Sequence, residues 1–549
     1  MSATRSQRKC VAVFPSSRWE TESRLLATLA ILFPVDFVRG GDIAQQHLDA
    51  AILFQEAEGL SGAMLERGVS SFRFVRPGRD TPLPANEVVT FSHNAVIHPA
   101  LREAQIPVGA ETCIAELSIC DAEVPLAWHG SAKLWQCRAE GNVEQHTSAI
   151  APPELRGEEL LWSWLRPDNW VALLPLMHFL RRVTVDAEWS PAPTQACFMF
   201  DDPNLHSVRY GYLDFLQVAR ECLAHKYHVA VATIPLDTWY AAAAAVELFR
   251  RHRDCLSLLI HGNDHVANEL ARELSPDKAL RLLAQALKRV DRFERRTGLT
   301  VGRVIAPPHG GCSESMVAQM LRLPFEGVCT SVGSLVRSYE GSLPLEFGLS
   351  PVSFLAREFP MLRRWDLRYG LAPLRIAAFL GQPLITYGHH GDCAGGIGRL
   401  AEVADSVNSW GPTTWADPAS ILRSRYRTKR EGELLHIQMW SRHVQVTIPE
   451  GVSYLMVHVP FSDVPCQTSQ MSAASIVVDP EAGAAEVPLR VVPSTVLDVK
   501  ISSRRPVDPV SVGPPCRRVW PAIRRTLAIG RDRLTPVLRS VRAFPEANF

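Results

Sequence analysis

The sequence lacks any long apolar run. Its longest early stretch of this kind, LLATLAILFPVDFV (25–38), is broken by Pro34 and Asp36 and is shorter than the ~20 residues of a spanning helix. The start, MSATRSQRKCVAVF, is basic, but CVAVF is too short for the apolar core of a signal peptide. The expectation is a cytoplasmic protein without an integral membrane segment. The chain also lacks charge of one sign. Lys and Arg number 58 against 57 Asp and Glu, a formal net charge of +1, which gives a whole-chain nucleic-acid role no support. Twelve cysteines are scattered with no C-x-x-C pair. That pattern argues against a disulfide scaffold or a thiolate zinc site and fits a reducing compartment. No G-x-G-x-x-G follows the first apolar run, so dinucleotide binding has little support.

What is present is ordinary globular composition on a large scale. The 549 residues are 46% hydrophobic and 21% charged, enough for three or four domains and a sizeable core. Residues 1–195 read as an α/β accessory domain of Rossmann-like type. CVAVF (10–14), DAAILF (49–54) and VSSFRFV (69–75) are strand-like, and ESRLLATLAILF (22–33) has helical spacing. The Pro-rich WSPAPTQA (189–196) is a linker candidate. From 196 to 424 strands and helices alternate. Strand-like CFMF (197–200), HVAVATIP (228–235), CLSLLIHG (255–262), TVGRVIAPPHG (300–310), GVCTSV (327–332) and PLITYGHHG (383–391) are separated by helical segments. Such alternation implies parallel pairing, and a (β/α) barrel closes it naturally. From 425 to 500 period-two alternation, as in LLHIQMW and HVQVTIP, predicts a small β-sandwich-like domain. Residues 501–549 form an Arg-rich tail, read as solvated. Peripheral contact with an acidic membrane face is the other use of such a segment.

Polar clusters stand at four strand ends in the middle domain: Asp201-Asp202 in FMFDDPN, His261 and His265 in HGNDH, His309 in APPHGG, and His389-His390 in YGHHGD. Adjacent carboxylates repel unless something uses them. Two histidines at i and i+4 can face one way on a helix and offer two nitrogens to one ion. One aspartate from another strand end completes three protein ligands, the arrangement of a catalytic zinc site. Such an ion lowers the pKa of its water and polarises a carbonyl. The second aspartate is then free as a general base.

In this order the four clusters resemble the motifs of the polysaccharide deacetylase superfamily, the NodB homology domain of carbohydrate esterase family four. The resemblance spans roughly residues 196–415. It implies a distorted (β/α) barrel of NodB type, a divalent metal, most often zinc, and removal of an N- or O-acetyl group from a glycan or glycan precursor. Carried over by position, Asp201 matches the catalytic base, and Asp202, His261 and His265 match the metal ligands. His389 matches the late general acid, with His390 as the alternative. His309 matches the loop whose N–H helps hold the oxyanion.

The departures are specific. Pro203 replaces a glycine, Gly262 a Ser or Thr, His309 a Tyr, and Ala306 the Arg that pairs with the catalytic aspartate. Arg363 and Arg364 are candidate stand-ins for that Arg. His206, Arg209 and Tyr210 are candidate cleft residues. Trp239 and Trp365 are candidates for stacking on a sugar, with core packing as the plainer reading. Two rival functions remain open on sequence: a metal-dependent hydrolase of another C–N amide, and a non-catalytic glycan-binding or assembly module with a degenerate barrel. An acetylated substrate in a cytoplasmic setting points to polysaccharide biosynthesis.

Overall fold

The computed structural model describes residues 8–542 apart from 42–46, 76–80, 83–86, 109–112, 115–116, 118–122, 151, 153–154, 156, 165–169, 186–188, 460–465, 473, 485–486, 503–504 and 516–518. They fall into two compact units. One comprises residues 1–187, 344–350 and 371–380; the other comprises 188–343, 351–370 and 381–549. The first unit thus draws on two segments far downstream of residue 195.

The first unit carries a nine-stranded sheet. Five strands run parallel, in the order Val35–Arg39, Lys9–Phe14, Ala50–Leu53, Ser70–Phe74 and Val143–Ser148. The sheet then continues antiparallel through Ala132–Glu140, Val124–His129, Val88–Phe91 and Gln105–Pro107. The strand-like segments 10–14, 49–54 and 69–75 all fall in the parallel half. The antiparallel half was not read from the sequence.

In the second unit seven strands close into a parallel barrel. They are β1 (Thr194–Asp201), β2 (Val229–Thr233), β3 (Leu256–His261), β4 (Val301–Ala306), β5 (Gly327–Thr330), β6 (Phe359–Asp366) and β7 (Leu384–Gly388). Each pairs with its neighbour in parallel, and β1 pairs with both β2 and β7. Helices α1 (Phe215–His225), α2 (Ala243–Arg251), α3 (Pro276–Thr297), α4 (Glu314–Met320) and α5 (Gly398–Ser409) connect or follow these strands. Asp214 caps α1 by accepting from the N–H groups of Leu216 and Gln217, and Lys226 ends it in the left-handed conformation.

One alternating set of side chains from all seven strands meets in a single apolar cluster: Cys197, Met199, Ala230, Ala232, Leu259, Val304, Ala306, Cys329, Leu362 and Ile385. Side chains two residues apart on a strand share a face. One step further along that face stand Asp201 on β1, His261 on β3, Arg364 on β6 and Tyr387 on β7. The barrel filling therefore ends in a polar layer at the strand C-termini, where (β/α) barrels carry chemistry. Strand β6 has no counterpart in the sequence reading. Its run FPMLRRWD contains a proline and two arginines, yet seven of its eight residues are buried.

Beyond the barrel, two four-stranded sheets share one apolar core that includes Ile437, Val444, Leu455, Val478 and Val499. The tail departs from expectation. Residues Trp520–Arg542 form helix α6, which packs against the barrel rather than standing in solvent. Among its described side chains the buried positions are Pro521, Arg525 and Asp532, whereas Trp520, Ile523, Leu527 and Leu534 face outward. Polar pairing through Arg525 and Asp532 holds this part of the helix down. Among the described residues no helix is long and apolar enough to cross a membrane.

Candidate active site

Asp202, His261 and His265 converge. One ligand atom from each lies within 4.8 Å of the other two. Asp202 leaves β1 with a positive φ of 85°, which re-aims its carboxylate; its N–H still donates to the Ala232 carbonyl at 3.2 Å. His261 ends β3. Its Nδ1–H donates to the Ala306 carbonyl at 2.9 Å, so its Nε2 lone pair is left toward Asp202, 3.8 Å from Oδ1. Such a carbonyl partner is what orients a metal-ligating imidazole.

The histidine spacing does not work through a helix. His265 lies in a loop with φ 54°. That loop is held by Glu269, whose buried carboxylate accepts the N–H groups of Asn263 (2.7 Å), Asp264 (2.8 Å) and His265 (3.3 Å). Asn263 and Asp264 are tied to α3 through Arg289 at 2.7 and 2.5 Å. Gly262 has φ +63°, and a Cβ there would lie 2.5 Å from Glu269 Oε2 and 2.6 Å from Pro308 Cγ. The glycine that departs from the family pattern is therefore required by this loop. Asp202, His265 and His309 all hold positive φ without being glycine. Backbone strain of that kind collects at functional sites.

The donor set fits a divalent cation. Asp202 Oδ1 is buried and has no hydrogen-bond partner, although His265 Nε2 stands 3.0 Å away. An orphaned carboxylate oxygen between two imidazole nitrogens is a costly arrangement that a cation would satisfy. Burial pushes the Asp202 carboxyl up, but the two imidazoles and the Arg525 guanidinium outweigh it and hold it below the usual carboxylate range.

Asp201 has a different environment. It is buried beside Arg364, whose two terminal nitrogens donate to its two oxygens at 2.8 and 2.7 Å. The guanidinium also stacks on the Tyr387 ring at 4.1 Å. Burial raises the Asp201 carboxyl, but Arg364, joined by His261 and His389, outweighs it and holds it below the usual carboxylate range. The guanidinium that pairs with Asp201 thus comes from β6, while position 306 is an alanine. Arg363 lies instead over Trp365, 3.8 Å from its ring centroid, so that tryptophan is covered.

His309 sits at φ 61° in the loop after β4, its ring 5.7 Å from that of His265. The loop is pinned by Thr330, whose hydroxyl donates to the Gly310 carbonyl at 2.7 Å. His389 is exposed at the end of β7, and its N–H donates to Asp392 at 2.8 Å. It is an electrostatic neighbour of both Asp201 and His309. His390 turns elsewhere, between Tyr210 and Tyr212, with Nε2 3.7 Å from Asp532. Of the other candidates, Arg209 pairs with Asp214 at 2.8 Å, His206 meets the Asp237 carbonyl at 2.8 Å, and the Tyr210 hydroxyl donates to Asp532 at 2.8 Å. Trp239 is 72% exposed and available for stacking.

Helix α6 completes one wall. Arg525 is buried there. Its Nε donates to Asp237 at 2.7 Å and its Nη2 to the Asp202 carbonyl at 2.8 Å. Sequence reading missed this residue because nothing in a distant basic tail signals a partner. Glu269 was missed too, although it lies only four residues after His265.

A second cluster of metal-ligating types, Cys137, Glu144 and His146, lies in the first unit. Its groups already satisfy one another. His146 Nδ1 accepts the Trp135 indole N–H at 3.2 Å, Arg182 pairs with Glu144 at 2.6 Å, and burial pushes the Cys137 thiol up to about 12.

No protein-family model matches the chain, and no curated protein matches it. Solved structures similar to it include Agd3, a carbohydrate deacetylase, at 10% identity and a TM-score of 0.46, covering 89% of this chain and 97% of that one. A family 4 carbohydrate esterase from Streptomyces lividans is similar at 11% identity and a TM-score of 0.25, over 41% and 93% of the two chains. The peptidoglycan deacetylase PdaC from Bacillus subtilis is similar at 14% identity and a TM-score of 0.23, over 41% and 88%. By the motifs at its barrel strand ends, this chain resembles the polysaccharide deacetylases of carbohydrate esterase family four.

Proposed function

We propose that the protein is a metal-dependent hydrolase that removes an acetyl group from a glycan or glycan precursor. The observation that carries this reading is the pairing of two unlike aspartates: Asp202, orphaned between two imidazoles, and Asp201, clamped by Arg364. Asp202, His261 and His265 would hold the ion, with zinc the first choice for two nitrogens and one oxygen. When bound, such an ion supplies Lewis acidity to water and to the acyl carbonyl.

The chain's own residues account for the proton movements. Asp201 takes a proton from the attacking water, and Arg364 fixes which carboxylate face is presented. The backbone N–H beside His309, held in its strained loop, is a donor for the developing oxyanion. His389, exposed and on the same rim, delivers a proton to the departing amine or alcohol; His390 is engaged with the tyrosines and Asp532. An amine leaves poorly without that proton. The non-catalytic reading drew on Ala306, and the Arg364 clamp on Asp201 supports the catalytic reading over it.

Acetate release from acetylated chito-oligosaccharides and O-acetylated glycans tests the proposal. Release that stops on chelation, returns with zinc and is absent in Asp202→Ala supports it. Undiminished release from metal-free protein refutes it.

A further inference from the structure

Helix α6 brings two neighbouring arginines to the rim of the triad, and they are held differently. Arg525 is fully engaged with Asp237, with the Asp202 carbonyl and, at 3.4 Å, with the Tyr210 hydroxyl. Arg524 is not. Its Nη2 reaches His265 Nδ1 at 3.3 Å, its Nε is buried with no hydrogen-bond partner, and among the described residues no carboxylate pairs with it. A buried guanidinium without a counter-charge is unfavourable, and an anionic ligand in the cavity that Arg524 lines would supply one.

Arg524 lines a cavity of about 460 Å³ together with Asp202, His265, Leu527, Arg531 and Asp532. The cavity abuts the triad directly. Its two carboxylates are already committed: Asp202 to the triad, and Asp532 to Tyr210, Arg531 and the approach of His390. What remains uncompensated on the α6 wall is positive. A flat guanidinium fork suits carboxylate, sulfate or phosphate oxygens.

We propose that Arg524 is a specificity-determining residue that binds an anionic group of the glycan, carried close to the acetyl group that enters the site. The proposal rests on the deacetylase reading for what occupies the triad. The substrate class is thus an acidic, acetylated glycan rather than a neutral one.

Calorimetric binding to the full-length zinc-loaded protein tests this with four probes: N-acetylglucosamine, its 6-sulfate, its 6-phosphate, and N-acetylmuramic acid as the carboxylate arm. At least one anionic probe is expected to bind 10-fold or more tightly than the neutral sugar. The best arm identifies the anion. Arg524→Ala should reduce that preference to within twofold, and Arg524→Lys should retain part of it. Arg533→Ala, an equal charge change on the exposed side of α6, should leave it intact. Equal affinities across all four probes overturn the proposal, as does a preference that survives Arg524→Ala or falls equally in Arg533→Ala. The two readings separate cleanly. Acetate release without an anionic preference sinks this proposal alone. An Arg524-dependent preference without acetate release sinks the deacetylase reading and leaves the anion site standing.

Discussion

Arg364→Ala is the most informative single change. In the folded protein Arg364 and Asp201 are nearly solvent-free, with side-chain exposures of 3% and 4%, and they share two hydrogen bonds of 2.7–2.8 Å. Removing one partner of such a buried pair leaves an uncompensated charge and costs about 3–5 kcal/mol. Part of that loss comes from the contact with Tyr387, which at 4.1 Å in a dry setting is worth about 2 kcal/mol at most. Urea unfolding of the parent, Arg364→Ala, Asp201→Asn and the double variant gives the coupling directly. A coupling on the order of 3 kcal/mol is expected, because each single change strands the other group. Asp201→Leu combined with Arg364→Met should recover most of the stability, since an apolar pair of similar volume avoids the desolvation penalty. Catalysis should behave otherwise. Every one of these variants loses the oriented base, and kcat should fall about 10²–10⁴-fold with KM little changed. Additivity of the single changes within about 0.5 kcal/mol would refute the claim that β6 supplies the partner of Asp201.

Four further outcomes follow from the same geometry. Glu269→Gln weakens the acceptor of three loop N–H groups, and zinc affinity measured by competition with a chromophoric chelator should fall about 10–100-fold without loss of fold. Gly262→Ser restores the family residue but places a Cβ against Glu269 and Pro308 at positive φ, so the thermal midpoint should drop in line with about 1–3 kcal/mol; an unchanged midpoint would show that the loop relaxes freely. His389→Ala should lower kcat about 10²-fold or more, whereas His390→Ala should leave chemistry nearly intact; the reverse result would move the general acid by one residue. Ile437→Ala opens a cavity between the two small sheets, where the side chain is 0% exposed, and should cost about 2–5 kcal/mol in chemical denaturation.

Much of the candidate site was legible because its residues follow strands whose apolar runs announce themselves. CFMF before Asp201-Asp202 and LSLLI before His261 read as buried strands, and a polar group after such a run sits at the barrel rim. Strand β6 hid itself. Its arginines interrupt the apolar run, and an aspartate from β1 and the ring of Tyr387 make the burial of Arg364 tolerable while Arg363 lies over Trp365. The Arg-rich tail misled for the opposite reason. Composition described it as solvated, whereas Arg525 and Asp532 find buried partners more than 280 residues away in the chain. The i, i+4 spacing of His261 and His265 suggested a helix, but Glu269 and Gly262 produce the same convergence through a strained loop.

The sequence by itself determined the alternation of strands and helices, the strand ends that carry polar groups, and the chemical types of the three candidate ligands. These are properties of short windows, set by side-chain periodicity and by which residues end a buried run. Only the tertiary structure decided which charges pair. The partner of Asp201, the anchor of Arg525 and the unsatisfied state of Arg524 depend on closure of the barrel and docking of α6. Electrostatic pairing is set by distance and burial in space, and neither is encoded in local order along the chain.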